Sequence, residues 1–229
     1  MKKYFLALLA LAAALPGMAQ QDQYKWAGFN RYAQSDAEIK ARAVAPVAVF
    51  IGNSITEGWV RVRPAFFESN NYVGRGISGQ TTPQFLSRFR ADVIELRPRV
   101  AVIGGGINDM AEKVGTYNAD LTFGNICSMA ELARINGITP VLTSVLPAAL
   151  IPWNKELVWN PSWIAEMNAR IKAYAAARGI AYVDYYAKME DGKQGLIAEY
   201  TYDGVHVTAA GYAVMEALVQ AAIDKALDR

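Results

Sequence analysis

The chain has 229 residues, 53% of them hydrophobic, and a formal net charge of +2. That length and composition support one domain with a substantial core, while near-neutrality excludes an electrostatic case for nucleic acid or an anionic membrane surface. Its single cysteine, Cys127, excludes an internal disulfide, so packing alone must hold the fold.

The chain opens with "MKKYFLALLALAAALPGMAQ". Lys2 and Lys3 precede a nearly unbroken apolar run from Tyr4 to Leu15, and Gly17-Met18-Ala19 supplies a plausible cleavage site. The pattern predicts a secretory signal peptide over residues 1–19, followed by one exported domain over 20–229. Its apolar part is too short to span a bilayer comfortably, and an uncleaved anchor is the competing reading. Cys127 lies far from the cleavage region, which excludes a lipid-modified N-terminal cysteine. No further long apolar segment follows, so no membrane span is expected in the mature chain.

Five apolar, β-branched runs come next, at 47–51, 72–77, 100–104, 139–146 and 180–186. They are continuous rather than alternating, as suits strands buried on both faces of a parallel sheet. Helical patterns lie between and after them, at 81–96, 125–136, 161–178 and 208–227. In the first of these Phe85, Phe89 and Val93 recur at i, i+4, i+8, with Thr82 placed to cap and Pro83 in the first turn. Gly137 and Gly179 stand where helices should stop. This alternation predicts an α/β domain of three layers with right-handed crossovers, in which ligands bind beyond the carboxyl ends of the strands. The long connection at 147–160, rich in Pro and Trp, is expected to fold over one rim of the sheet.

Chemistry should therefore sit just after the apolar runs. "GNSITEGW" (52–59) places Ser54 at the mouth of a helix, where it suits a cap as well as a nucleophile. "SGQTT" (78–82) offers Gly79, either a plain turn or an open backbone N–H ahead of a helix dipole. "VAVIGGGINDM" (100–110) has two glycines of a dinucleotide fingerprint, Gly104 and Gly106, but the third place falls on Asp109. A charged residue there would keep helix and strand apart, which argues against a nucleotide cofactor. "YDGVHVTAAGY" (202–212) holds His206, the only histidine, three residues after Asp203 and two before Thr208, a plausible cap for the last helix.

Singly, each residue has an ordinary structural use; together they are the parts of serine hydrolysis. That reaction needs a nucleophile, a base, an orienting carboxylate and donors for an oxyanion. Each need has one candidate here. The elbow G-x-S-x-G of α/β-hydrolases is excluded, because position 56 is Thr.

The blocks "FIGNSI", "GISGQTT", "GGIND" and "DGVHVTAAGY" resemble those of the SGNH (GDSL-type) esterases and acylhydrolases. Among subgroups the chain is most similar to bacterial relatives of the platelet-activating-factor acetylhydrolase catalytic subunit. The resemblance implies a flavodoxin-like α/β/α fold with a five-stranded, mainly parallel sheet. It assigns Ser54 as nucleophile, His206 as base and Asp203 as its partner. It assigns the oxyanion hole to the backbone N–H of Ser54 and Gly79 and the side-chain amide of Asn108. Two positions depart from the family pattern: Asn53 stands where Asp is usual, and Ile107 where a small polar residue is usual. The implied activity is hydrolysis of carboxylic esters, O-acetyl or other short acyl, on small molecules or glycans. Lysophospholipase or thioesterase chemistry is the alternative, and an inactive carbohydrate-binding module using Trp153, Trp159 and Trp163 a third. One histidine and one cysteine leave little to hold a metal, and no cofactor is expected.

Overall fold

The computed structural model describes residues 25–228, and the predicted signal peptide lies outside them. Its elements are, in chain order, α1 (Ala33–Lys40), β1 (Ala48–Gly52), α2 (Ser54–Val62), α3 (Pro64–Ser69), β2 (Tyr72–Gly76), α4 (Thr82–Asp92), β3 (Val100–Ile103), α5 (Ile107–Met110), α6 (Ala119–Ile135), β4 (Thr139–Thr143), α7 (Ser162–Arg178), β5 (Ala181–Val183), α8 (Tyr186–Met189) and α9 (Ala209–Leu227).

The five strands form one wholly parallel sheet in the order β2-β1-β3-β4-β5. Ala48 stands opposite Tyr72 on one side and Val100 on the other, and Val141 opposite Ala181. Because side chains alternate across a strand, the apolar runs divide between two cores. Val49, Ile51, Ala101, Ile103 and Leu142 face α4, α6 and α7, where Phe85, Phe89, Met129 and Met167 are buried. Ala48, Phe50, Val100, Val102 and Val141 face α2, α3 and α9, where Trp59, Phe67, Tyr212 and Val219 are buried. The result is the three-layer α/β/α architecture that the alternation implies.

Strands β4 and β5 are shorter than their apolar runs by three residues or more, for a visible reason. Beyond Thr143, both backbone groups of Val145 are taken by the buried amide of Asn168 on α7, at 2.8 and 2.9 Å. Beyond Val183, Asp184 caps Ala187 at the start of α8. Helix α4 starts one residue earlier than its cap signal suggested: the Thr81 N–H donates to Gln84 Oε1 at 2.8 Å. The Thr82 hydroxyl goes instead to Asp109.

The edge strand β2 carries Arg75, 3% exposed, which reaches Asp36 of α1 through Nε and Nη2 at 2.9 and 2.6 Å. Its guanidinium also lies 4.5 Å from the centre of the Tyr32 ring. Helix α1 is thereby clamped to the sheet edge by charge rather than by an apolar stripe, and its mainly polar sequence gave no periodic signal. Removing one partner of a buried ion pair strands the other's charge. Asp36→Ala should therefore lower stability by about 3–5 kcal/mol in urea unfolding; a loss below about 1 kcal/mol would show that the clamp is not structural.

Candidate active site

Ser54, His206 and Asp203 form a continuous hydrogen-bonded line. Ser54 is the first residue of α2, separated from the carboxyl end of β1 by Asn53 alone. Its Oγ lies 3.0 Å from His206 Nε2. On the far side of the ring, His206 Nδ1 lies 2.6 Å from Asp203 Oδ2. With the shared proton on Nδ1, Nε2 is left as an acceptor for the serine hydroxyl.

The spacing of three between Asp203 and His206 works through the backbone. Asp203 Oδ1 accepts the Val205 and His206 N–H groups at 2.9 and 2.7 Å, a turn that folds the carboxylate back onto its own loop. Oδ2 then faces the imidazole. Partial burial works to raise the Asp203 pKa, but the bond to the His206 ring, the two N–H groups and the attraction of His206 outweigh it. The net shift is downward.

Helices α2 and α9 bring the two loops together. Trp59 of α2 stacks on Tyr212 of α9 with ring centres 5.5 Å apart. The Tyr212 hydroxyl donates to the Ile55 carbonyl, next to Ser54, at 2.8 Å. Glu216, one turn further along α9, accepts from Trp59 Nε1 and from Arg63. Thr208 caps α9 by accepting the Gly211 N–H, which fixes the helix start two residues after His206.

Gly79 and Asn108 are joined through Gln80. The Asn108 amide, 3% exposed on α5, donates to the Gln80 carbonyl at 2.9 Å, leaving its second N–H for another acceptor. Gly79 has φ +78°, a left-handed conformation that favours glycine, and its side-chain direction is open space. Neither the Ser54 nor the Gly79 N–H is taken by an acceptor among the described residues. Glu57, one turn along α2 from Ser54, accepts the Ser78 N–H at 2.9 Å and pairs with Arg31, tying the Gly79 loop to α2.

Ser54 and His206 line a crevice of about 160 Å³, with Glu57, Arg61, Tyr202 and Tyr212. Tyr202, 68% exposed, stacks on the His206 ring at 5.7 Å with an interplanar angle of 11°. Trp153 packs against the same imidazole at 5.7 Å. Trp159 of the long connection and Trp163 of α7 do structural work. Trp159 donates to the Ala148 carbonyl and meets Trp163 edge-on, and Trp163 leans on Tyr117.

The two departures from the family pattern have local explanations. Asn53 caps α2 by accepting the Ile55 N–H at 3.0 Å, a task for which a neutral amide serves as well as a carboxylate. Ile107 is 4% exposed and extends the core beside Met110. Sequence reasoning missed Glu57, Tyr202 and Asp109. Asp109 accepts both the N–H and the hydroxyl of Thr82, so the charge that spoils a dinucleotide fingerprint ties α5 to the start of α4.

Residues 50–214 match the model of the GDSL-like Lipase/Acylhydrolase family. The chain belongs to that family. It is 28% identical over 184 residues to Esterase TesA of Pseudomonas aeruginosa, covering 75% of this chain and 85% of that protein. It is 53% identical to a GDSL-like lipase of Bacteroides thetaiotaomicron whose crystal structure superposes with a TM-score of 0.83, over 88% of this chain and 99% of that one. An acetylxylan esterase from Geobacillus stearothermophilus shares the fold at 18% identity, with a TM-score of 0.61 over 80% of this chain and 96% of that one. Family membership makes the protein a carboxylic ester hydrolase. Among the described residues no helix is long and apolar enough to cross a membrane.

A carboxylate held below its ordinary pKa adds stability that is complete above the unfolded value, about 3.9, and lost as pH falls through the lower folded value. The difference in Tm between wild type and Asp203→Asn should therefore persist from pH 8 to about 5 and shrink below about pH 4. A difference as large at pH 3 as at pH 7 would refute the ionised Asp203 contact.

Proposed function

We propose that the protein is a serine esterase that removes short acyl groups, foremost O-acetyl, from glycans, acting as a single domain over residues 20–229 after export by a signal at 1–19. The observation that carries the reading is the unbroken line from Ser54 Oγ through the His206 ring to Asp203, at 3.0 and 2.6 Å.

In this mechanism His206 Nε2 takes the proton of Ser54 as Oγ attacks the ester carbonyl. Negative charge gathers on the carbonyl oxygen, which the N–H groups of Ser54 and Gly79 and the free N–H of Asn108 receive. The imidazolium, steadied by Asp203, returns its proton to the departing alcohol, leaving an acyl-serine. Water then attacks that ester with His206 as base again, releasing the acid and restoring Ser54.

The walls of the crevice favour a sugar as the alcohol part of the ester. The exposed face of Tyr202, beside the base, offers an aromatic surface for the alcohol part. Likeness to an acetylxylan esterase is consistent with this reading and supplies the fold alone.

Hydrolysis of p-nitrophenyl acetate should be abolished by Ser54→Ala. Asn108→Ala should lower kcat about 10²–10³-fold with KM little changed, the usual effect of losing one oxyanion donor. Retained turnover in Ser54→Ala would sink the mechanism. For the substrate, Tyr202→Ala should raise KM on acetylated xylan about three- to tenfold, the worth of one ring contact, and leave KM for p-nitrophenyl acetate almost unmoved. Preference for p-nitrophenyl palmitate over the acetate would replace the glycan reading with a lipid one.

A further inference from the structure

Arg88 is wholly buried, on α4, and its guanidinium touches none of the residues assigned to the reaction. Yet two arms of its fork end on something that matters to them, and the third is anchored by a carboxylate. Nη2 donates to the Gly52 carbonyl at 3.0 Å, two residues before Ser54. Nε donates to Gln80 Oε1 at 2.7 Å, one residue after Gly79. Nη1 is held by Asp92 Oδ2 at 2.7 Å, one turn along the same helix. Gln80 in turn accepts the Asn108 amide on its carbonyl, and its own amide donates to the Ala27 carbonyl at 2.7 Å. One planar cation thus lies a single bond from the strand end that carries Ser54 and from the residue that neighbours Gly79 and holds Asn108.

A demand for stability alone explains this poorly. Burying an ion pair costs desolvation that mutual attraction only partly offsets, and apolar replacements of similar volume are often neutral or better. The same imbalance shows in the pair itself. Burial pushes Arg88 down and Asp92 up, in each case against the pull of its partner. What the pair supplies, and an apolar filler could not, is a rigid fork of donors with fixed angles between them.

We propose that Arg88 is a positioning residue for the oxyanion hole: its fork sets the separation of the Gly52–Ser54 turn and the Gly79–Gln80 loop, and through Gln80 it aims the amide of Asn108. The inference rests on the proposed roles of Ser54, Gly79 and Asn108. Oxyanion donors must meet the developing charge within a few tenths of an ångström to act, so a loop shift of about 1 Å should cost about 10²-fold in rate. Such a shift leaves ground-state binding of a small ester nearly untouched.

The test is a double-mutant cycle on p-nitrophenyl acetate hydrolysis with the full chain. Arg88→Lys keeps a cation opposite Asp92 and loses the fork. It should lower kcat about 10–100-fold with KM within about twofold. Combined with Asn108→Ala, the loss should fall short of the product of the two single losses by about tenfold or more, because both changes damage one device. Gln80→Met, which cuts the side-chain link and keeps the carbonyl that holds Asn108, should behave in the same way and serves if Arg88→Lys fails to fold. A loss that multiplies fully with Asn108→Ala, a change confined to KM, or a lowered Tm with kcat intact would overturn the proposal. Ser54→Ala separates the two levels. If it retains turnover, the reading of the site fails; if it is inactive and the cycle multiplies, only the role of Arg88 fails.

Discussion

Ser54 and His206 stand 152 residues apart in the chain and 3.0 Å apart in space, and the rest of the site presupposes that contact. Neither side chain holds it unaided. A hydroxyl–imidazole bond contributes about 1 kcal/mol net, far too little to order two loops against their conformational entropy. The contact is inherited from the packing of α2 on α9: Trp59, Phe66, Phe67 and Tyr72 surround Phe50 of the sheet, and Tyr212 of α9 stacks on Trp59. Burial of one such ring is worth about 1.5–3 kcal/mol, so the aromatic layer supplies the rigidity that the polar line uses. The bond from Tyr212 to the Ile55 carbonyl then carries that rigidity to within one residue of the serine.

The sheet contributes direction. In a parallel sheet every strand delivers its carboxyl end to the same edge, which is why Ser54, Gly79 and Asn108 follow β1, β2 and β3 in turn. The Asp203–His206 loop reaches that edge by another route. It lies twenty residues beyond the end of β5 and is placed by the helix that follows it rather than by the strand before it. The pairing of Thr201 with Val207 closes the loop into a narrow hairpin, so the ring and its carboxylate move as one piece.

The fold was legible in the sequence wherever burial was complete. Continuous apolar runs such as Val100–Ile103, short and rich in β-branched residues, read as buried strands, and helices with an apolar repeat such as that of Phe85 and Phe89 announce themselves. What escaped was held by charge and hydrogen bonds. Helix α1 has no apolar stripe to reveal it, because Asp36 and Arg75 fix it in place of one. The cap of α4 was misplaced by one residue because two adjacent threonines both suit the task, and only the distant carboxylate of Asp109 decides which is free for it. The four blocks of the site were visible because each carries a residue type with its own chemistry. The residues that steady them, Glu57, Gln80 and Arg88, are not singled out by the sequence, because pairings across 21 to 36 positions give no local signal.

The carboxylates around the site follow one rule. Glu57 accepts the Ser78 N–H, Asp109 accepts the Thr82 N–H, and Asp203 accepts the His206 N–H. Each binds the backbone of a loop that also presents a group assigned to the reaction. Irregular loops at a sheet edge have too few apolar contacts to be rigid, and their N–H groups would otherwise turn to water. A carboxylate that captures one of them fixes both the loop's path and the direction of the neighbouring donors. The same reasoning accounts for Asn53. Its place in the turn requires an acceptor for the Ile55 N–H, which a neutral amide supplies, while the carboxylate one helical turn later, Glu57, binds the neighbouring Gly79 loop.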